Sequence, residues 1–356
     1  MRHNLILIIA AASLAACTDR TDADYRAEIA DSMHTSITNY LAQLVTATRR
    51  LQTAAPLHAW DPLADDAAIM DMRDAWREAR VAWENVEGAI APMFAGLNET
   101  MDARYEDFLS ALALEGERDK YLFDGDGVIG MHAIERILFA PTIRQEVVQY
   151  EETLDGYQPA SYPVTDIDAI AFKTQLAQRL VDDATELASS WRPEDVDIAA
   201  AYKGLIELMG EQQDKVDLSV HGQEESRYSS YTLLDLRNNL TGTHEVYNLF
   251  RDWIHSKSLA QSSDRQILTQ FDDLMSAYLT TPGYSLPNAP ADWQDDPSPD
   301  ALRTPFGVLW QQIRDSVDPM SDGSVVSQMS RIAGLLGFDG TTGVELPHVR
   351  HAHARR

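Results

Sequence analysis

Apolar residues recur with the period of an α-helix over stretch after stretch of this chain, and that pattern restricts the fold more than any other feature. In Met72, Trp76, Ala79, Trp83 and Val86 the spacings are four, three, four and three, which line one helix face. Comparable patterns run through Tyr25–Leu51, Tyr105–Leu114, Ile167–Leu187, Ile198–Val216, Leu233–Trp253 and Ile267–Leu279. No convincing run of period-two alternation competes; Val164–Ala171 is the best strand candidate, and it is short. The fold class predicted is all-α. With 44% hydrophobic residues the chain can bury a sizeable core, and 356 residues suggest one or two domains.

Two irregular stretches interrupt the helical pattern. Asp155 to Pro163 is rich in turn residues and is predicted to separate a first helical lobe, residues 25–154, from a second, residues 164–345. Thr281 to Pro305 carries Pro282, Pro287, Pro290, Pro297, Pro299 and Pro305, so it cannot be one continuous helix. A loop of that length in a compact domain is often functional. Residues 346–356 form a His-rich tail, with His348, His351 and His353 in or beside it, expected to be solvated rather than to hold a metal.

The N-terminus has a different character. Arg2 and His3 precede twelve nearly all-apolar residues, Leu5 to Ala16. A membrane-spanning helix needs about 20 such residues, so this run fits the core of a secretory signal, residues 1–16. It ends in Leu14-Ala15-Ala16-Cys17, which resembles a bacterial lipobox with Cys17 as the lipidated residue, followed by a linker, residues 17–24. Cys17 is the one cysteine of the chain, so no intrachain disulfide can form, whereas a lipid anchor uses that thiol. By resemblance to other lipoproteins, Thr18 in place of aspartate favours the outer over the inner membrane, with the protein in the periplasm.

The formal net charge of -27, from 56 acidic and 29 basic residues, argues against nucleic acid as a partner and against electrostatic adhesion to anionic lipid. It is compatible with cation binding, though such acidity also serves solubility alone.

The segment that carries most chemistry is Gly127 to Phe139. His132 and Glu135 lie three apart among apolar neighbours and project from one helix face. A buried carboxylate must be paired, hydrogen-bonded or metal-bound, and Glu/His pairs of this spacing build metal sites inside bundles. From spacing alone two readings stay open: a metal-ligating pair, or a satisfied core histidine with Glu135 paired to Arg136 or another arginine. Glu84 and Glu87, read as three apart on one helix, and Asp102 add oxygen ligands of the kind hard cations prefer. Arg80, four before Glu84, offers an ordinary surface ion pair as the alternative. Asp124-Gly125-Asp126-Gly127 has the look of a calcium loop, but Val128 and Ile129 break that pattern, and the segment is expected to cap the following helix.

Taken together, Glu84-Asn85-Val86-Glu87, Asp102-Ala103-Arg104 and Gly130-Met131-His132-Ala133-Ile134-Glu135 resemble the pattern of the imelysin family, in particular its EfeO/EfeM branch. Gly222-Gln223-Glu224-Glu225-Ser226-Arg227-Tyr228-Ser229-Ser230, followed by Asp235, Asn238-Asn239 and Gly242, is similar to the family's second block, although Ser230 stands where histidine is common. The resemblance spans roughly residues 25–250. It implies two helical bundles facing a cleft, with a metal site in the first. His132 and Glu135 would be the leading ligands, and Glu84, Glu87 and Asp102 would complete the shell. Gly130, Arg104, Glu225, Arg227, Tyr228 and Asn239 are the remaining motif positions. EfeO-type proteins are associated with iron uptake beside a permease and a peroxidase-like partner; the lack of a cupredoxin region here matches the shorter form.

Two function classes follow from the resemblance. The first is a lipid-anchored metal-binding protein that captures iron, as a free ion or ferric chelate, and hands it to a permease or outer-membrane receptor; copper and zinc are the alternative ions. The second is an imelysin-type metallopeptidase. A zincin would need His-Glu-x-x-His, and the nearest match, His244-Glu245-Val246-Tyr247-Asn248, ends in asparagine. A polysaccharide-binding module is a third reading, disfavoured for a polyanionic sugar by the acidic charge.

Overall fold

The structure, a computed structural model, describes residues 20–338; the expected signal segment, Cys17 and the His-rich tail lie outside the described residues. Among those residues the secondary structure is helical with no strand, as the periodicity predicts. The first half contains α1 (Asp22–Ala54), α2 (Asp66–Glu84), α3 (Glu87–Ile90), α4 (Ala95–Asp102), α5 (Tyr105–Leu114), α6 (Gly130–Leu138) and α7 (Gln145–Glu151). The second contains α8 (Asp166–Ala171), α9 (Ala177–Ser190), α10 (Ile198–Ser219), α11 (Thr232–Ser256), α12 (Gln261–Thr280), α13 (Pro305–Val317) and α14 (Val325–Leu335). None of these helices is long and apolar enough to cross a membrane.

The longest helix shows how the sequence sets the packing. Ile29, Met33, Ile37, Leu41, Leu44, Thr48 and Leu51 are the buried stripe of α1, spaced three or four apart, and the stripe lies along α2 and α9. The helix starts at Asp22, three residues before the periodicity begins, because Thr21 and Asp24 form a reciprocal capping box that satisfies the first free N–H groups. Behind it, α10 packs on α3, α11, α13 and α14, and α11 also touches α1 and α2. Buried apolar residues form one connected cluster from Ile29 to Phe338, so the core continues across the turn-rich stretch 155–163.

Val164–Ala171, the best strand candidate, is helical from Asp166 in keeping with the all-α expectation: Thr165 caps α8, whose chain runs on through a π-turn at Phe172–Leu176 into α9. Exposed Ile167 and Ile170 lie on the outer face of that rod. Two local expectations are corrected. Asp124–Gly127 does not cap α6; Ile129 occupies the N-cap without a side-chain bond, and Asp124 instead accepts from Asp126 N–H at 3.0 Å. Glu84 and Glu87 do not share a helix, since α2 ends at Glu84 and α3 begins at Glu87.

The neighbouring helix meets that break closely. A Cβ on Gly242 of α11 would lie 1.9 Å from the Asn85 carbonyl oxygen, so only glycine lets α11 close on the turn between α2 and α3. The Asn85 amide, which donates to Val81 O at 2.7 Å and to Asn238 Oδ1 at 3.1 Å, fastens the turn to both helices. Gly242→Ala is expected to lower stability by about 1–3 kcal/mol through this overlap, read as a drop in thermal midpoint. An unchanged midpoint would mean that α11 has room to retreat.

Candidate metal centre

All nine residues of α6, Gly130 to Leu138, are buried, so every polar side chain on it must find a partner inside the protein. The helix starts against the end of α4. Gly130 has φ +86°, and a Cβ there would meet Thr100 O at 2.6 Å and Met101 O at 2.8 Å. This contact sets Asp102 beside His132. Trp76 and Trp83, of the apolar stripe on α2, hold the arrangement from the other side: Trp76 Nε1 donates to Met131 O and Trp83 Nε1 to Asp102 Oδ2, each at 2.9 Å.

His132 and Glu135 do share a face, but they bond to each other. The imidazole Nδ1 lies 2.8 Å from Glu135 Oε2, while Glu135 Oε1 accepts from Ser229 N at 2.8 Å and Ser229 Oγ at 2.7 Å. Glu135 is thus satisfied without Arg136, which pairs with Glu151 instead, so the expected arginine partner is corrected. The other imidazole nitrogen, Nε2, is buried and has no hydrogen-bond partner. It faces Asp102 Oδ1 at 3.4 Å and Glu225 Oε1 at 3.8 Å, which are charge contacts and not aligned hydrogen bonds. Ligand atoms of Asp102, His132 and Glu225 all lie within 4.8 Å of one another, as do those of Glu84, Glu87 and Asp102.

Arg80 is the central cation. Its guanidinium contacts Glu84 and Asp102 directly and lies 3.5 Å from Glu225 and 3.6 Å from Asp235. The expected surface pair with Glu84 is therefore a fully buried one, with side chains 1% and 0% exposed. A second cation, Lys215 of α10, approaches from behind, 3.0 Å from Glu225 Oε2 and 3.1 Å from Asn239 Oδ1. The Asn239 amide in turn donates to the Glu84 carboxylate and, at 3.2 Å, to Glu87 Oε2.

These partners split the acids into two kinds. Burial alone would raise every one of them. At Asp102 the nearby Arg80 and His132 win, and the carboxyl stays below its usual range; at Glu225, Lys215, His132 and Arg80 hold it well below. For Glu84 and Glu87 burial dominates despite the cations, and both are pushed up to about 8. Asp235 is likewise driven well above the carboxylate range by burial. Burial would lower His132, yet Asp102, Glu135 and Glu225 keep its imidazole well above the ordinary value. The two carboxyls held low, Asp102 and Glu225, are therefore ones that face the free nitrogen.

The structure brings Glu84, Glu87, Asp102, His132 and Glu135 together, and adds Glu225 and Asn239 from the second motif block. Arg104, Arg227 and Tyr228 lie outside the cluster in a clasp around it. Arg104 Nη1 donates to Gln223 O at 3.4 Å, Arg227 Nη1 to Glu106 Oε1 at 3.0 Å, and the Tyr228 hydroxyl to Glu151. Lys215 escaped notice in the sequence, although a signal was there: Leu205, Leu208, Gln212 and Lys215 continue one stripe of α10 at spacings of three and four, so the lysine falls on its buried face. Ser229 falls within the second motif block, but its role depends on a tertiary contact that no local pattern reports.

Two stability effects follow. Removing Arg80 leaves the Asp102 carboxylate buried without its counter-charge, so Arg80→Met is expected to cost about 3–5 kcal/mol in chemical denaturation; a neutral result would mean that Asp102 protonates at little cost. In the clasp, burial raises the Glu106 carboxyl, but Arg227 outweighs it and pulls it down to about 2 from an ordinary 4.5. A carboxyl depressed by folding stabilises fully above its unfolded value and loses that contribution as pH falls. The stability gap between wild type and Glu106→Gln should thus be widest near pH 7 and close as pH drops from about 4.5 toward 2; a gap independent of pH would show that the ion pair adds nothing.

Comparison with known proteins agrees with this architecture. The family model described as Imelysin (Peptidase_M75) matches residues 36–292, which include every residue of the cluster. A relative called iron-regulated protein A, from Synechococcus elongatus, is 29% identical over 257 residues, 65% of this chain and 66% of its own length, just under two thirds. Two solved structures share the fold. An imelysin-like protein from Psychrobacter arcticum superposes with a TM-score of 0.56 at 12% identity, covering 87% of this chain and 96% of its own. An iron-regulated protein A precursor from Parabacteroides distasonis gives 0.55 at 16%, covering 91% and 96%. With more than half of its length matched by the family model, this chain belongs to the imelysin family.

Proposed function

We propose that this protein is a cell-envelope metal-binding protein that takes up one metal ion, iron foremost, at Asp102, His132 and Glu225. The observation that carries the reading is the His132 imidazole: one nitrogen held by a carboxylate, the other buried, unpartnered and facing two ionised acids. A metal-ligating histidine has this arrangement, its second nitrogen oriented by a carboxylate that is itself hydrogen-bonded. On that geometry Glu135 orients the ligand instead of ligating, and Glu225 takes the place given to Glu135 by the sequence pattern. Two carboxylates and one imidazole suit iron or manganese better than a thiolate-loving ion. In the ion-free site the acids favour the imidazolium, and a bound cation replaces that proton.

The name of the Synechococcus relative supports iron in particular. The N-terminal sequence supports export and lipidation at Cys17, which would hold the protein in the periplasm on the outer membrane, poised to pass the ion to a permease or receptor. The stretch that came nearest to a zincin motif favours a structural role: the His244 ring packs 5.2 Å from that of Phe271, and the Tyr247 hydroxyl bonds Asp264 at 3.0 Å.

Calorimetric titration of the full chain in detergent with ferrous iron, manganese and zinc tests the proposal. His132→Ala and Glu225→Gln should abolish tight binding. Glu135→Gln should weaken it by about 10- to 100-fold, as loss of an orienting partner does. Wild-type affinity in His132→Ala would sink the assignment, and an effect of Glu135→Gln as severe as that of His132→Ala would return Glu135 to the ligand set.

A further inference from the structure

The two groups of ligand atoms in the cluster overlap at one residue. Asp102 belongs both to the set with His132 and Glu225 and to the set with Glu84 and Glu87. A carboxylate shared in this way is the usual bridge of a two-ion centre, whose metals stand about 3.5–4 Å apart. The first set offers the free His132 nitrogen. The second is already overlooked by a fixed charge. Lys215 Nζ lies 3.0 Å from Glu225 Oε2, 3.8 Å from Glu84 Oε2 and 3.9 Å from Glu87 Oε2. It also lies 3.1 Å from the Asn239 carbonyl oxygen and within the influence of Glu211. The lysine side chain is 7% exposed, so the ammonium cannot swing out to water without leaving these acids behind.

We propose that Lys215 is a built-in second cation, which stands with a single charge against Glu84 and Glu87 of the second set, and against Glu225 of the first, in place of a second metal ion. It thereby limits the centre to one exchangeable ion at His132. The inference rests on the metal reading given above. Its physical basis is like-charge repulsion in a poorly hydrated pocket: an ammonium against the Glu225 carboxylate and beside the carboxyls of Glu84 and Glu87 opposes the approach of a further divalent ion. Arg80 does the same for Glu84 and Asp102 on the opposite side. A single ion on one imidazole and two carboxylates lacks a second metal to share its bridge, which suits a protein that must release what it binds.

The test counts ions in the full chain by native mass spectrometry and calorimetry, with Mn2+ as the probe because it is hard and stable to air. Wild type and Lys215→Arg are expected to bind one Mn2+. Lys215→Met is expected to bind two, and Lys215→Met/Glu87→Gln to return to one. Should Lys215→Met fold only with metal present, the protein refolded in Mn2+ is counted in the same way, again with two expected. One ion in Lys215→Met at wild-type affinity overturns the inference while leaving the metal centre intact. No ion in any of the four proteins overturns the metal reading, and this inference falls with it.

Discussion

A fully buried arginine, with carboxylates on several sides of it, is the interaction on which the rest of this structure depends. Arg80 lies in contact with Glu84 and Asp102 and within 3.6 Å of Asp235, on the helix whose two tryptophans fix α6 and Asp102. Charge removed from water is tolerated only where geometry supplies opposite charge and hydrogen bonds. Each acid around Arg80 must therefore be brought to it from a different element: Glu84 from α2, Asp102 from α4, Glu225 from the connection before α11, and Asp235 from α11 itself. Satisfying one guanidinium draws both halves of the chain together more specifically than apolar packing could, since apolar contacts have no preferred direction.

The glycines explain how the backbones come near enough. α11 closes on the turn after Glu84 at Gly242, and α6 sits on the end of α4 at Gly130. The second motif block then works on two levels at once. Glu225 and Ser229 reach the centre, the first toward His132 and the second onto Glu135. Between them, Arg227 and Tyr228 grip α5 and α7 through Glu106 and Glu151. A block that reads as one motif is thus a bracket whose outer residues, Glu225 and Ser229, face the site while Arg227 and Tyr228 between them hold its supports.

Neutralisation from within gives this centre a different character from a bare cup of acids. Glu84 and Glu87 are pushed toward the neutral form, while Asp102 and Glu225 remain ionised beside His132. The ionised pair and the free imidazole nitrogen coincide in space, which restricts where a cation gains most. Glu84 and Glu87 serve Arg80, Lys215 and Asn239.

Several parts of this were legible in the sequence alone. The all-α class follows from apolar periodicity, because a helix that buries one face must repeat at three and four residues; α5 matches its expected span, Tyr105–Leu114, residue for residue. The membership of Glu84, Glu87, Asp102, His132 and Glu135 in one cluster was carried by their resemblance to a family pattern, since spacing cannot join separate helices. Tertiary structure alone decided their roles. Sequence could place His132 and Glu135 on one face, but which nitrogen stays free depends on Ser229, 94 residues away from Glu135. It could set Arg80 four residues before Glu84, but whether that pair lies in water or in the core depends on helices from the other half of the chain. Local periodicity reports which face of a helix is covered; only the folded chain determines which charge does the covering.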